Sequence, residues 1–185
     1  MKSVNFTKSF YLISDFHLFH NNIIKYCNRD FKNIEEMNEL ILNNWNNTVG
    51  DDDYIFFLGD FVIGAQNKYE TAQIIYDSLK GKKIYLKGNH DTHLKKFTNI
   101  PVIDGPIEII YRDKKIILNH VPIWNFNRSR YDFHIFGHIH NNIVENSKVD
   151  LTRMKNVSVE MVGYKPVHID DILIEFEKIN KGGWK

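Results

Sequence analysis

Short apolar runs that stop abruptly at polar residues recur along the chain. Residues 10–14 (FYLIS) run into Asp15, and 54–58 (YIFFL) into Gly59-Asp60. Residues 83–86 (KIYL) lead toward Gly88-Asn89-His90-Asp91, 115–118 (KIIL) to Asn119-His120, and 133–136 (FHIF) to Gly137-His138. Near-continuous apolar runs of this length suit strands covered on both faces. Between the first two, Ile34, Met37, Ile41 and Trp45 repeat at helical spacing, and Asn33 with Glu36 is placed as a capping box. A second helix is expected over 68–80, stopping at Gly81. Residues 107–111 and 115–118 read as a hairpin around Arg112-Asp113-Lys114, and 156–160 as a further strand. Residues 172–176 fit either a strand or a last helix capped by Asp170 or Asp171. Strands mixed with helices imply an α/β fold: a layered sheet pair, or β-sandwich, flanked by helices, with function at the C-terminal strand ends.

Composition sharpens this only slightly. Of 185 residues 43% are hydrophobic and 25% charged, with no repeat or low-complexity tract, so residues 1–185 are expected to form one domain. The formal net charge of +1 argues against a broad basic surface for nucleic acid, so attraction for phosphate has to be local. A lone Cys27 excludes an intramolecular disulfide and CxxC motifs. No apolar run approaches the ~20 residues of a membrane span, and no leader pattern opens the chain. A cytoplasmic protein with no membrane partner is expected.

The polar residues at the strand ends are of one chemical kind. Asp15 and His17, Asp60, Asn89-His90-Asp91, His120, and His138 with His140 combine carboxylate, imidazole and amide oxygen. Residues two apart on extended backbone point the same way, so Asp15 with His17, and His138 with His140, are expected to face one site. Glycine before Asp60, Asn89 and His138 is expected to let the backbone turn where the strand stops. The donor set suits manganese, iron, cobalt, nickel or zinc better than calcium.

These segments, Asp15-Phe-His17, Gly59-Asp60, Gly88-Asn89-His90-Asp91, His120 and Gly137-His138-Ile-His140, resemble in content and order the signature of the calcineurin-like metallophosphoesterases. The opening residues 14–20 (SDFHLFH) with Cys27-Asn-Arg29 further resemble a small bacterial and phage-type subgroup. The resemblance implies two divalent ions, manganese first among the candidates. Asp15, His17 and His140 would hold one, Asn89, His120 and His138 the other, and Asp60 would bridge them. It further implies hydrolysis of phosphodiesters or phosphomonoesters by a metal-bridging hydroxide, with His90 as general acid. Asp91 is expected to orient His90.

Other residues read two ways. His20 fits either a site contact or a helix entry. Arg29, Arg128 and Arg130 are candidate substrate contacts. The segment 122–131 (PIWNFNRSRY) reads as a base-stacking, phosphate-gripping lip or as a loop anchored by Trp124 and Phe126. His134, inside an apolar strand, reads as a hydrogen-bonded structural residue. A small nucleotide-like substrate fits the compact, near-neutral chain better than a long nucleic acid, although a nuclease stays open if Arg128 and Arg130 form a stripe to the site. A non-catalytic protein-binding scaffold is the remaining alternative, opposed by the presence of His90 beside a full ligand set.

Overall fold

The computed structural model of the protein describes residues 3–64 and 66–182. In chain order its elements are β1 (Ser3–Asn5), β2 (Phe10–Ile13), α1 (Ile23–Tyr26), α2 (Ile34–Thr48), β3 (Tyr54–Phe57), α3 (Gln66–Ser78) and β4 (Lys82–Leu86). There follow α4 (Leu94–Phe97), β5 (Val102–Ile103), β6 (Ile107–Tyr111), β7 (Lys114–Leu118), β8 (Phe133–Phe136), α5 (Ile143–Asn146), β9 (Met154–Asn156), β10 (Val167–His168) and α6 (Ile169–Asn180). Two five-stranded sheets result, ordered β1-β6-β7-β8-β9 and β10-β2-β3-β4-β5. In the second sheet β2 to β5 run parallel and β10 joins antiparallel; in the first, β6–β7 is the antiparallel pair. This is the helix-flanked sheet pair that the apolar pattern predicts.

The apolar runs are continuous because each strand has two buried faces. Strand β2 sends Phe10 and Leu12 between the sheets and Ile13 toward the layer of α2 and α3. Strand β3 divides in the same way, with Phe56 between the sheets and Ile55 and Phe57 beneath the helices. Ile116 and Leu118 of β7 face the shared core, while Ile117 packs outward with Phe126, Tyr131 and Met154. That alternation is the two-residue strand period with apolar partners on both sides.

The helical expectations hold with adjustments. Ile34, Met37, Ile41 and Trp45 of α2 are all buried, each worth about 1.5–3 kcal/mol if fully removed from water. Asn33 Oδ1 accepts from Glu36 N at 2.8 Å, but Glu36 returns its bond to Lys32 N, one residue before the cap. Helix α3 starts and ends two residues earlier than the spacing suggests, and Gly81 at φ +91° leads into β4. The hairpin turns on Arg112 and Asp113, both at positive φ (49° and 61°) as a type I′ turn requires.

Two expectations are corrected. The run 156–160 is not one strand: β9 ends at Asn156, whose side chain accepts from Ser158 N, and Val159–Met161 form a 3-10 turn. The last apolar segment is helical, with Ile169, Ile172, Leu173 and Phe176 buried, and His168 rather than Asp170 or Asp171 caps it. Among the described residues no helix is long and apolar enough to cross a membrane.

Candidate metal centre

The loops leaving β2, β3, β4, β7 and β8 meet at one end of the sheet pair, where Ser14 bridges Ser158 across the two sheets. Asp15, His17, Asp60, His138 and His140 all have positive φ, between 47° and 72°. A non-glycine residue there costs on the order of 1–3 kcal/mol and persists only when its surroundings over-determine it. Loop-to-loop bonds supply that support: Asp15 N donates to Gly59 O at 2.9 Å and His17 N to Asp60 O at 3.0 Å.

The glycines serve close approach more than turning. A Cβ at Gly88 would lie 2.1 Å from Asp60 Oδ1, and one at Gly137 would lie 2.2 Å from Ser14 Oγ and 2.4 Å from Asp15 Oδ2. Of the three, Gly59 (φ +94°) needs the left-handed conformation as well.

Among the described residues three groups of donor atoms form: one is Cys27, His140 and Glu160, and the other two are built from the expected ligands. Asp15, His17 and His140 offer atoms within 4.8 Å of one another, and Asp60, His120 and His138 do the same. Asp60 Oδ2 faces both, 3.5 Å from His17 Nε2 and 3.3 Å from His120 Nε2. Asn89 Oδ1 joins the second cluster, 2.8 Å from His120 Nε2 and from His138 Nδ1. Spacing alone put His138 and His140 on one face; they fall in different clusters because the strand has ended and both are left-handed.

The atoms turned away from the clusters are already satisfied. Asp15 Oδ2 accepts from Ser14 Oγ, Ser158 Oγ and His138 N, while Asp15 Oδ1 is buried without a hydrogen bond, 3.9 Å from His140 Nε2. His17 Nε2 is likewise buried and makes no hydrogen bond. His120 Nδ1 meets the Leu58 carbonyl at 2.7 Å, which only accepts, so Nδ1 carries the hydrogen and Nε2 is left for the cluster. His140 Nδ1 is held by Glu160 Oε1 at 3.0 Å. Buried polar atoms are normally bonded. Orphans among carboxylate and imidazole donors, each braced from behind, fit divalent metal ions.

The charge balance agrees. At His17 burial dominates and lowers the pKa to about 2 despite nearby Asp60. At His120 burial is outweighed by the hydrogen bond to Asp60 and the charges of Asp15 and Asp60, lifting it to about 9. At His140 burial is outweighed by Cys27, Glu160 and Asp15, lifting it to about 10. Burial would raise Asp60, but His120 and His17 hold it down to about 2. Protonated His120 and His140 thus supply the positive charge that the carboxylates demand, a role a metal takes over by displacing the protons.

His90 is exposed, its ring 5.3 Å from that of His17, and His20 lies beside the same residue, Nδ1 to Nδ1 at 3.4 Å. Asp91 does not orient His90. It is buried, and its carboxylate accepts from Gly88 N (2.7 Å), Asp60 N (2.8 Å) and Phe61 N (3.2 Å), pinning the Asn89 loop to the Asp60 loop. Burial, then the Asp60 charge, raises its pKa.

Arg29 also points inward. Only 3% exposed, it donates to the carbonyls of Asp15 (2.8 Å) and Phe16 (2.9 Å) and to Glu160 (2.7 Å), so it braces the first ligand loop instead of meeting substrate. Arg128 pairs with Asp150, and Arg130 with Glu108, which Tyr131 also bonds. With Trp124 and Phe126 packed on the outer sheet face, segment 122–131 takes its structural reading. His134 is fully buried, donating to Ile117 O and accepting from Ile123 N.

Sequence reasoning missed Ser158, Asn156 and Glu160. Ser158 braces Asp15, Asn156 holds Ser158 and the His140 carbonyl, and Glu160 links Arg29 to His140. Their signal was present as alternation: 156–160 (NVSVE) puts polar residues two apart beside two buried valines.

The model of the calcineurin-like phosphoesterase family matches residues 8–142, which contain all seven candidate ligands. An uncharacterised protein of Methanocaldococcus jannaschii is 39% identical over 173 residues, 92% of this chain and 93% of that one. The crystal structure of a protein of unknown function from Aquifex aeolicus superposes with a TM-score of 0.67 at 29% identity, covering 90% of this chain and 98% of the other. A looser likeness, TM-score 0.42 at 23% identity over 72% and 74% of the chains, is to a structure described as a novel archaeal phosphodiesterase and is too slight to bear on function. Since the matched region carries the whole donor set, the chain belongs to the calcineurin-like phosphoesterase family, metal-dependent hydrolases of phosphoric esters.

Proposed function

We propose that the chain, acting as one domain, is a dinuclear phosphoesterase for small nucleotide-like diesters or monoesters. Asp15, His17 and His140 would hold one ion and Asn89, His120 and His138 the other, with Asp60 facing both groups. The observation that carries this is the pair of buried orphans, Asp15 Oδ1 and His17 Nε2, across from an Asp60 Oδ2 that faces both clusters. Manganese heads the ions suited to the donors, with iron, nickel, cobalt and zinc. When bound, such ions would supply Lewis acidity and lower the pKa of water enough for it to act as a hydroxide nucleophile near neutral pH.

The chain's own residues do the rest. His90, exposed beside His17, donates a proton to the departing ester oxygen. Arg29 and Glu160 keep the Asp15 loop and His140 in place, and Asp91 keeps Asp60 and Asn89 in register. A nuclease reading loses its support, because Arg128 and Arg130 are committed to Asp150 and Glu108.

The test is hydrolysis of bis(4-nitrophenyl) phosphate and 4-nitrophenyl phosphate by metal-stripped protein reconstituted with manganese, nickel, zinc or magnesium. Turnover should return with a transition metal, vanish in His120→Ala with loss of metal, and vanish in His90→Ala with metal retained. A protein that binds no divalent ion sinks the proposal.

A further inference from the structure

Beside His140 opens a cleft of about 530 Å³ whose chemistry differs from that of the ligand clusters. Around it Tyr26 is 73% exposed, Ile143 85% and Val144 66%. Scattered apolar side chains on a surface are ordinary, but three around one concavity next to a catalytic centre mark a binding site. The volume is that of a small-molecule site.

The cleft is built and connected. Asn141 Nδ2 donates to the Cys27 carbonyl at 2.6 Å, fastening the segment after α1 to the one before α5. The Tyr26 ring lies 5.9 Å from that of His20, and His20 reaches His17. His140 belongs both to the cleft wall and to a ligand cluster. Contacts from Tyr26 to His20 and from His20 to His17 therefore join the rim of the cleft to the metal ligands.

No Lys, Arg, Asp or Glu is among the described residues that line it; its polar side chains are the amides of Asn28, Asn141 and Asn142 and, at the end shared with the ligand cluster, the His140 ring. Such a surface suits neither a second phosphate nor a polyanion. It suits an uncharged ring with apolar faces and a hydrogen-bonding edge.

We propose that this cleft binds the nucleobase of a mononucleotide ester whose phosphate sits at the metal centre, with Tyr26 as stacking surface and Ile143 and Val144 as apolar contacts. The assignment rests on the phosphoesterase reading above for the position of the phosphate. It moves base recognition from segment 122–131 to α1 and α5.

The test compares two non-hydrolysable ligands on the metal-loaded full chain by calorimetry: methylphosphonate, and the 5′-methylenephosphonate analogue of adenosine monophosphate. The adenosine ligand should bind about tenfold tighter, as a single stacked base provides. Tyr26→Ala and Ile143→Ser, both surface changes, should each remove most of that gap and leave methylphosphonate affinity unchanged. Equal affinities in the unaltered protein, or a gap that both variants preserve, would overturn the assignment. So would sedimentation showing a dimer that the variants dissolve, since the patch would then be a subunit contact. A single-stranded oligonucleotide that binds far tighter than the adenosine ligand, with that excess lost in Tyr26→Ala, overturns the mononucleotide class. Because this affinity ratio needs no turnover, failure of every ester to be hydrolysed is a separate result that counts against the enzyme mechanism alone.

Discussion

Replacing Asp91 by asparagine separates a structural carboxylate from a catalytic one. Asp91 Oδ2 accepts the Gly88 and Asp60 amides at 2.7 and 2.8 Å, and Oδ1 accepts Phe61 N at 3.2 Å. Asparagine keeps one acceptor for the first two, sets an amide donor against the Phe61 donor, and removes the charge from all three. A bond to a charged group is worth about 1.5–3 kcal/mol, so one lost and two weakened bonds set the scale. Relief of a carboxylate whose pKa burial already raises offsets part of it. The net expectation is about 2–3 kcal/mol, or roughly 4–12 °C in Tm for a chain of this size. The assay is thermal unfolding of metal-stripped protein, with His90→Ala alongside. His90 is exposed, so its variant should melt within about 2 °C of the unaltered protein. An Asp91→Asn protein that melts normally yet loses turnover would refute the structural role and return Asp91 to the service of His90.

Three further outcomes are expected. Arg29→Met strips the buried Glu160 carboxylate of one of its two cationic partners, His140 remaining, and costs about 3 kcal/mol in urea unfolding, the low end for a broken buried pair; an altered KM at unchanged stability would restore Arg29 as a substrate contact. His134, held at about 4 by burial, stays neutral in the folded chain while the unfolded chain takes up a proton near 6.5. Its contribution is therefore complete above about pH 6.5 and drains as pH falls toward 4, by roughly 3 kcal/mol in full. His134→Leu should flatten that slope in unfolding curves at pH 5 and 7.5, and an unchanged slope would count against it. Metal loading at pH 7 should release about two protons, from His120 and His140, and affinity should rise with pH. Calorimetry in buffers of different ionisation heat counts them, and zero release contradicts the charge balance.

The strands were legible from sequence because burial on both faces writes itself as an unbroken apolar run, as in residues 54–58. Helix α2 was legible for the complementary reason, one apolar face at helical period. Asp91 misled because its chemical type allows two roles, and only the positions of three backbone amides distinguish them. Arg29 misled for the same reason: a guanidinium near a site in sequence is read as reaching outward, but its partner Glu160 lies 131 residues away.

Periodicity and residue type are local properties, and they suffice for the layered α/β architecture, the chemical identity of the donor groups and their arrival at strand ends. Tertiary structure alone decided how those donors divide between two clusters and which atom of each is left bare. It also decided that Ser158, Asn156 and Glu160 stand behind them, and that an apolar cleft opens beside His140. Those are distances between segments far apart along the chain. They are set by left-handed turns at Asp15, His17, Asp60, His138 and His140 that no local preference favours, and that bonds between neighbouring loops hold in place.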